Sequence, residues 1–199
     1  MTIPQPYHKF VFDIENRRFV GDFETMYSRE DAENFDSWFQ DDMNHLTKRL
    51  VLALLSQYNF DKILDFGCGK GTFTHLLKKS NNIVTGIDIS KTAISKAIAK
   101  YPDIEFLAAD AEFFKNATMV DLVVALEVFS YLENWKEVLK DIANSCKYFI
   151  LSLYLPPNPI GFVKTLEELE ENLKQYFEIE SKLVANNESV ILFVKSLIC

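Results

Sequence analysis

The sequence is poor in the residues that staple or metallate small folds. Its three cysteines, Cys68, Cys146 and Cys199, are odd in number and share no metal-ligand spacing, which argues against a disulfide framework and predicts no metal site. Reduced thiols of this kind predict a cytoplasmic protein. Basic residues are fewer than acidic ones, 21 against 29, for a net charge of −8. They run no longer than pairs such as Arg17-Arg18, Lys48-Arg49 and Lys78-Lys79. Without a basic face, an anionic chain is repelled by phosphate backbones, so no nucleic-acid partner is predicted. No apolar run reaches membrane-spanning length, and residues 1–10 contain no apolar targeting segment; the chain is expected to avoid membranes and to stay inside the cell. Internal repeats and low-complexity stretches are missing too.

What is present is enough apolar material for one buried core. Hydrophobic residues make up 48% of 199, a length that suits one main domain and leaves little for a second. The first forty residues stand apart, dense in aromatic and acidic side chains without a steady period: Phe10, Phe12, Phe19, Phe23, Tyr27, Phe35, Trp38 and Phe39. That many rings need a surface to cover, so residues 1–41 are predicted to form a cap of short helical pieces ahead of a main domain over 42–199.

Within the main domain, Leu46, Leu50, Leu54 and Leu55 recur at helical spacing and predict a helix over 42–58. Short apolar strands then alternate with helices. Strands are predicted at 62–66, 83–87, 104–108, 120–126 and 148–153; helices at 72–79, 91–100 (with Ser90 as N-cap) and 135–144, and a helical turn at 111–115. A Pro-rich loop at 155–161 leads to a helix over 165–176. Two final strands, 177–183 and 189–197, are joined by five residues, short enough for a hairpin. The expected fold is α/β: a mostly parallel seven-stranded sheet closed by an antiparallel β-hairpin, with helices on both faces.

The chemistry gathers at the predicted strand tips. Asp65-Phe66-Gly67-Cys68-Gly69-Lys70-Gly71 lies directly between a strand and a helix, where alternate glycines let the backbone turn tightly and approach a ligand. The next strand ends at Asp88 with Ile89 beside it, the third at Asp110-Ala111, and the fourth at Glu127-Val128. A carboxylate after the second strand can accept both hydroxyls of a ribose, and the set forms a nucleoside pocket at the switch point of the sheet. Each residue also has a plainer role open to it. Asp65 can simply pin the loop, Asp88 and Asp110 can cap helices, and Cys68 has no partner that would make it a nucleophile. His45 and His75 fall inside predicted helices, and the aromatic cap can equally cover the sheet or close over a substrate.

These residues resemble the class I S-adenosylmethionine-dependent methyltransferases, which carry an Asp-x-Gly-x-Gly-x-Gly loop in place of the Gly-x-Gly-x-x-Gly of nicotinamide enzymes. The resemblance covers roughly residues 42–197 and implies S-adenosylmethionine as cofactor on a Rossmann-like sheet. It sets Gly67, Cys68 and Gly69 along the methionine part, with Asp65 holding the loop. Asp88, followed by Ile89, corresponds to the ribose acid. Asp110 and Ala111 lie near the adenine, and Glu127 and Val128 correspond to the Glu-Val after strand four. A narrower likeness, to nodulation-type N-methyltransferases and related saccharide-modifying enzymes, rests on residues 23–27, 36–40 and 127–132. This chain has Asp36-Ser37-Trp38 where those relatives often have Asp-Pro-Trp. It implies a small-molecule acceptor of the sugar or amino-sugar kind, held by Tyr27, Trp38 and Tyr131, with Glu127 or Tyr131 as catalytic base, in a monomer or homodimer. Two other readings stay open: a nicotinamide-dependent oxidoreductase and a non-catalytic cofactor-binding subunit.

Overall fold

A computed structural model describes residues 5–185 and 188–198; Asn186 and Asn187 of the expected hairpin connection, and Cys199, lie outside the described residues. The first elements are α1 (His8–Val11), a two-stranded antiparallel ribbon of β1 (Phe12–Asp13) and β2 (Arg18–Phe19), and α2 (Phe23–Glu33). A 3-10 turn, Ser37–Phe39, leads to α3 (Leu46–Leu55), β3 (Lys62–Phe66), α4 (Thr72–Leu77), β4 (Ile83–Asp88), α5 (Lys91–Lys100) and β5 (Glu105–Ala108). After a 3-10 segment, Ala111–Asn116, come β6 (Val120–Leu126), a turn at Phe129–Tyr131, α6 (Trp135–Ala143), β7 (Cys146–Tyr154), α7 (Leu166–Leu173), β8 (Phe177–Ala185) and β9 (Ser189–Ser196).

The sheet order is β5-β4-β3-β6-β7-β9-β8. Strands β3 to β7 pair in parallel, and β9 runs antiparallel to both neighbours. This is the predicted seven-stranded, hairpin-closed sheet. Its strands read as continuous apolar runs because helices bury both faces. Along β6, Val123 and Ala125 enter one core with α6 and α7, while Leu122 and Val124 enter a second with α3 and α4. Strand β7 divides its residues likewise, and at nine residues it outruns the expected 148–153 because β6 and β9 pair along it from both sides.

Two local differences from expectation have physical causes. The helix predicted over 42–58 begins only at Leu46, since Lys48 Nζ donates to the carbonyls of Phe39 (2.6 Å), Gln40 (2.8 Å) and Asp42 (3.0 Å) and holds 39–45 as an irregular strap. His45 is therefore the N-cap residue of α3 and not an interior one. The second difference is in the cap, whose side chains build a core of their own. Tyr7, Val11, Met26 and Tyr27 form a third buried cluster against Ala93 of α5, with Tyr131 packed at its edge, and His8 sits edge-on to Tyr7. Ser90 caps α5 as predicted, its hydroxyl accepting from Ala93 N at 3.1 Å. Among the described residues, no helix is long and apolar enough to cross a membrane.

Among the described residues, neither main core contains one from the first forty-five. Removal of residues 1–40 is therefore expected to lower the melting temperature while leaving a single cooperative transition by calorimetry. A broad, non-cooperative melt would show that the cap is part of the folding unit.

Candidate functional site

Strand β3 has β4 on one side and β6 on the other, so the chain leaves its tip in opposite directions and a crevice opens there. The loop after β3 turns through left-handed backbone at Gly67 (φ +74°) and Gly69 (φ +53°), a conformation that costs a residue with a Cβ. Ile87 O accepts from both Gly67 N (2.8 Å) and Cys68 N (3.0 Å). Asp88 accepts from Gly69 N through Oδ2 and from Ser90 N through Oδ1, each at 2.9 Å. It thus ties the loop to the start of α5. Asp65 is buried beneath and accepts from Thr74 Oγ1 at 2.6 Å, the pinning role open to it from sequence.

The crevice holds a cavity of about 220 Å³. Tyr27, Trp38, Asp65, Gly67, Cys68, Asp88, Ile89, Asp110, Ala111, Glu127 and Tyr131 all line it, so the structure gathers nearly every residue singled out from sequence. Gly69 lies behind Gln40: a Cβ there would sit 2.3 Å from the Gln40 carboxamide, and one at Gly67 would sit 2.3 Å from Val128 Cγ2. Both glycines therefore make room for the protein's own side chains. Asp110 has its Oδ1 engaged by Glu112 N at 2.9 Å and caps the following 3-10 segment. Gln40, His45, Thr47 and Lys48 also line the cavity. None was singled out as a site residue from sequence: Gln40 and His45 stand on the strap, which has no period, and Thr47 and Lys48 on the first turn of α3.

The cap lies over this crevice and not on the back of the sheet. Tyr131 is its hub, with ring centroids of Phe23 and Trp38 at 5.4 Å, Phe19 stacked at 5.8 Å and Phe12 at 6.0 Å. Phe162, from the Pro-rich loop, reaches Phe19 at 5.4 Å, and Arg17 donates to the Asn158 carbonyl. Trp38 and Phe39 both adopt left-handed backbone, φ +58° and +50°, which costs on the order of 1–2 kcal/mol each. Asp36 supports that turn by accepting from Gln40 N (3.1 Å) and Asp41 N (3.0 Å).

An ion cluster around the buried Lys70 fastens the strap to the glycine loop. Lys70 Nζ contacts Glu30 Oε1 and Asp36 Oδ1 at 2.9 Å and Asp41 Oδ2 at 3.0 Å. Lys96 reaches Glu30 at 3.0 Å, and Lys100 reaches Asp41 at 2.7 Å. Burial alone would favour a neutral Lys70, yet three carboxylates hold its pKa above the usual lysine range. At Asp41 burial pulls the other way, and the bonds from Lys100, Lys70 and Thr72 outweigh it and hold the carboxyl well below the usual range.

The cavity acids lack such cations. Burial pushes Asp65 up from 3.8 to about 7, with Thr74 opposing and the Asp88 charge adding to the rise. Burial also raises Asp88 and Glu127, against their hydrogen bonds. Glu127 has left-handed backbone (φ +62°) and accepts from Ser152 Oγ at 2.8 Å and Tyr154 N at 2.6 Å. The Cys68 thiol is pushed up by burial and then by Asp65 and Asp88, which leaves it protonated and inert. Folded Asp65 keeps its proton to about pH 7, whereas an unfolded aspartate releases it near 3.8. The folded state binds more protons across that window, so stability falls as pH rises through it. Asp65→Asn, which keeps an oxygen for Thr74, is expected to lose less melting temperature than the parent between about pH 5 and about pH 8. Equal losses would mean that the carboxyl is ionised throughout.

A methyltransferase-domain family model matches residues 64–148, the span from the glycine strand into β7. Trans-aconitate 2-methyltransferase of Agrobacterium fabrum is 32% identical over 111 residues, 53% of this chain and 43% of that protein. Nodulation protein S of Bradyrhizobium diazoefficiens is 25% identical over 130 residues, 64% of this chain and 60% of that one. The chain thus spans less than half the length of the trans-aconitate relative. The crystal structure of the N-methyltransferase NodS from Bradyrhizobium japonicum, in complex with S-adenosyl-L-homocysteine, superposes with a TM-score of 0.71 at 22% identity, covering 87% of this chain and 98% of that one. The Asp65–Gly71 loop, the order of the sheet and these matches make the chain similar to class I S-adenosylmethionine-dependent methyltransferases, NodS among them, and the NodS superposition shows that it has their fold.

Proposed function

We propose that the protein transfers the methyl group of S-adenosylmethionine to a small, uncharged or amine-bearing acceptor of the sugar or amino-sugar kind. The observation that carries this reading is one cavity with a glycine loop and unpaired acids on its floor and an aromatic roof above. The cofactor fits the donor set. Asp88 spends one lone pair per oxygen on backbone amides and keeps others for ribose hydroxyls. Ile89, 62% exposed, offers an apolar face, and Ala111 with Asp110 borders the same end. When bound, S-adenosylmethionine supplies a methyl on a cationic sulfur, and acids without cations of their own suit that charge.

The protein's share is alignment, exclusion of water and removal of one proton. Residues 1–41 serve as the lid over domain 42–199, with Trp38, Tyr27 and Tyr131 as faces for the acceptor ring. Glu127, its carboxyl raised by burial and aimed by Ser152 and Tyr154, is the base, and Tyr131 orients the acceptor. A polycarboxylate acceptor, as the name of the trans-aconitate relatives would imply, is disfavoured. The cationic side chains lining the cavity are Lys48, spent on three carbonyls, and His45, whose pKa burial lowers. The net charge of −8 argues against nucleic acid. Cytoplasmic residence, as a monomer or homodimer, belongs to the same reading and agrees with Cys68 as a buried free thiol.

Asp88→Ala is expected to weaken binding of S-adenosylhomocysteine by roughly 1.5–3 kcal/mol, about ten- to a hundredfold, in calorimetry. Unchanged affinity would remove Asp88 from the donor site. A turnover screen should give methylated amino-sugars, nucleotide-sugars or small amines and none from trans-aconitate. A methylated trans-aconitate product would replace the acceptor class, and binding without turnover on any acceptor would favour the non-catalytic subunit.

A further inference from the structure

We infer that Lys70 is a positioning residue of the donor half of the site, acting through Gln40. The inference rests on the donor reading above and concerns how this chain prepares that half. Lys70 holds the strap twice. Its backbone N–H donates to Gln40 Oε1 at 2.7 Å, and its ammonium takes Glu30 of α2 with Asp36 and Asp41 of the strap.

The Gln40 carboxamide is fixed in place and in polarity. Its main-chain N donates to Asp36 Oδ1, and its carbonyl accepts from Lys48. Its Nε2 donates to Tyr27 Oη at 2.5 Å. Rotating the amide by half a turn would face Nε2 with the Lys70 N–H, donor against donor, so the Lys70 main chain decides which end of Gln40 is nitrogen. Tyr27 takes one Nε2 hydrogen. The second has no partner among the described residues, and Gln40 borders the cavity beside Gly67, Cys68 and Asp88. The result is a pre-aimed N–H donor next to the glycine loop, a place where an acceptor atom of the donor molecule gains a hydrogen bond without ordering a side chain.

The ammonium sets the height of this donor. Glu30 and Asp41 have second cations in Lys96 and Lys100, but Asp36 pairs with Lys70 alone among the described residues. Asp36 is also the residue that holds Gln40 N. Loss of the ammonium leaves Asp36 uncompensated beside two more acids, and the turn carrying Gln40 lifts from the loop.

The test is a double-mutant cycle read by calorimetric titration with S-adenosylhomocysteine, with thermal melts alongside. Gln40→Leu and Lys70→Met are each expected to weaken binding by about tenfold, and the double variant to bind no worse than the weaker single one. Lys70→Arg should stay within about threefold of the parent. Independent losses that multiply in the double variant, or normal binding in Gln40→Leu, overturn the inference; a merely structural Lys70 produces the former. Should Lys70→Met fail to fold, Asp36→Asn keeps an oxygen for Gln40 N while removing one ion pair. It is expected to weaken binding in the parent and to have no effect in Gln40→Leu, and equal effects in both backgrounds overturn the inference. If the parent itself does not bind S-adenosylhomocysteine, the donor reading fails instead.

Discussion

The turn that follows β3 constrains everything built above the sheet. Parallel strands buried on both faces can release the chain only at their tips, and β3, flanked by β4 and β6, releases it where the sheet reverses direction. There the backbone passes through left-handed conformations at Gly67 and Gly69 while Ile87 O accepts two loop amides and Asp88 a third. A Cβ at either glycine would collide with Val128 or Gln40. The same turn starts α4, opens the cavity and sends Lys70 toward the N-terminal segment.

Two kinds of cohesion meet at that loop. Below it, the cores on either face of the sheet are apolar and, among the described residues, draw on nothing before residue 46. Above it, the roof combines ring contacts around Tyr131 with a buried lysine among three carboxylates. Desolvating so many charges offsets much of their attraction, so the cluster contributes position more than stability. Strain at Trp38 and Phe39 belongs to the same layer: two unfavourable backbone conformations are held by Asp36 and by the strap's ties to Lys48 and Lys70. A stable floor under a roof fixed by a few directional bonds is an arrangement in which the roof can open without unfolding the rest.

Charge is divided between these layers. Carboxylates of the roof, Glu30, Asp36 and Asp41, each have a lysine within 3.0 Å. Asp65, Asp88 and Glu127 on the cavity floor have hydrogen bonds and, among the described residues, no lysine or arginine partner, and burial raises all three. A cationic ligand in the cavity would lower those values and be held by the resulting charge. The pairing above and its absence among the described residues below make the floor, and not the roof, the place suited to a cationic ligand.

Strand and helix order, the hairpin ending, the glycine loop and the acids at successive tips were legible from residue order alone, since periodicity and turn chemistry are local properties. So were the strand-tip residues of the cavity, because in a parallel sheet every strand tip after a helix returns to one edge. The strap was not legible. The helix expected over 42–58 lost its first turn to Lys48, whose ammonium prefers three carbonyls brought near it only by the folded chain. His45 became a cavity residue for the same reason. Gln40 and Lys70 lie in two motifs that nothing in the sequence relates; thirty positions apart in the chain, they meet because α2 packs on α5 and the glycine loop rises beneath them. Even the glycines had two uses open to them, ligand or protein, and only the packed neighbours of Gly67 and Gly69 assign the space. The sequence by itself determined the sheet and the position of its switch point, because those follow from nearest-neighbour chemistry along the chain. The placement of the roof, and hence the shape left for an acceptor, was decided by tertiary structure, because its bonds join residues that no local pattern relates.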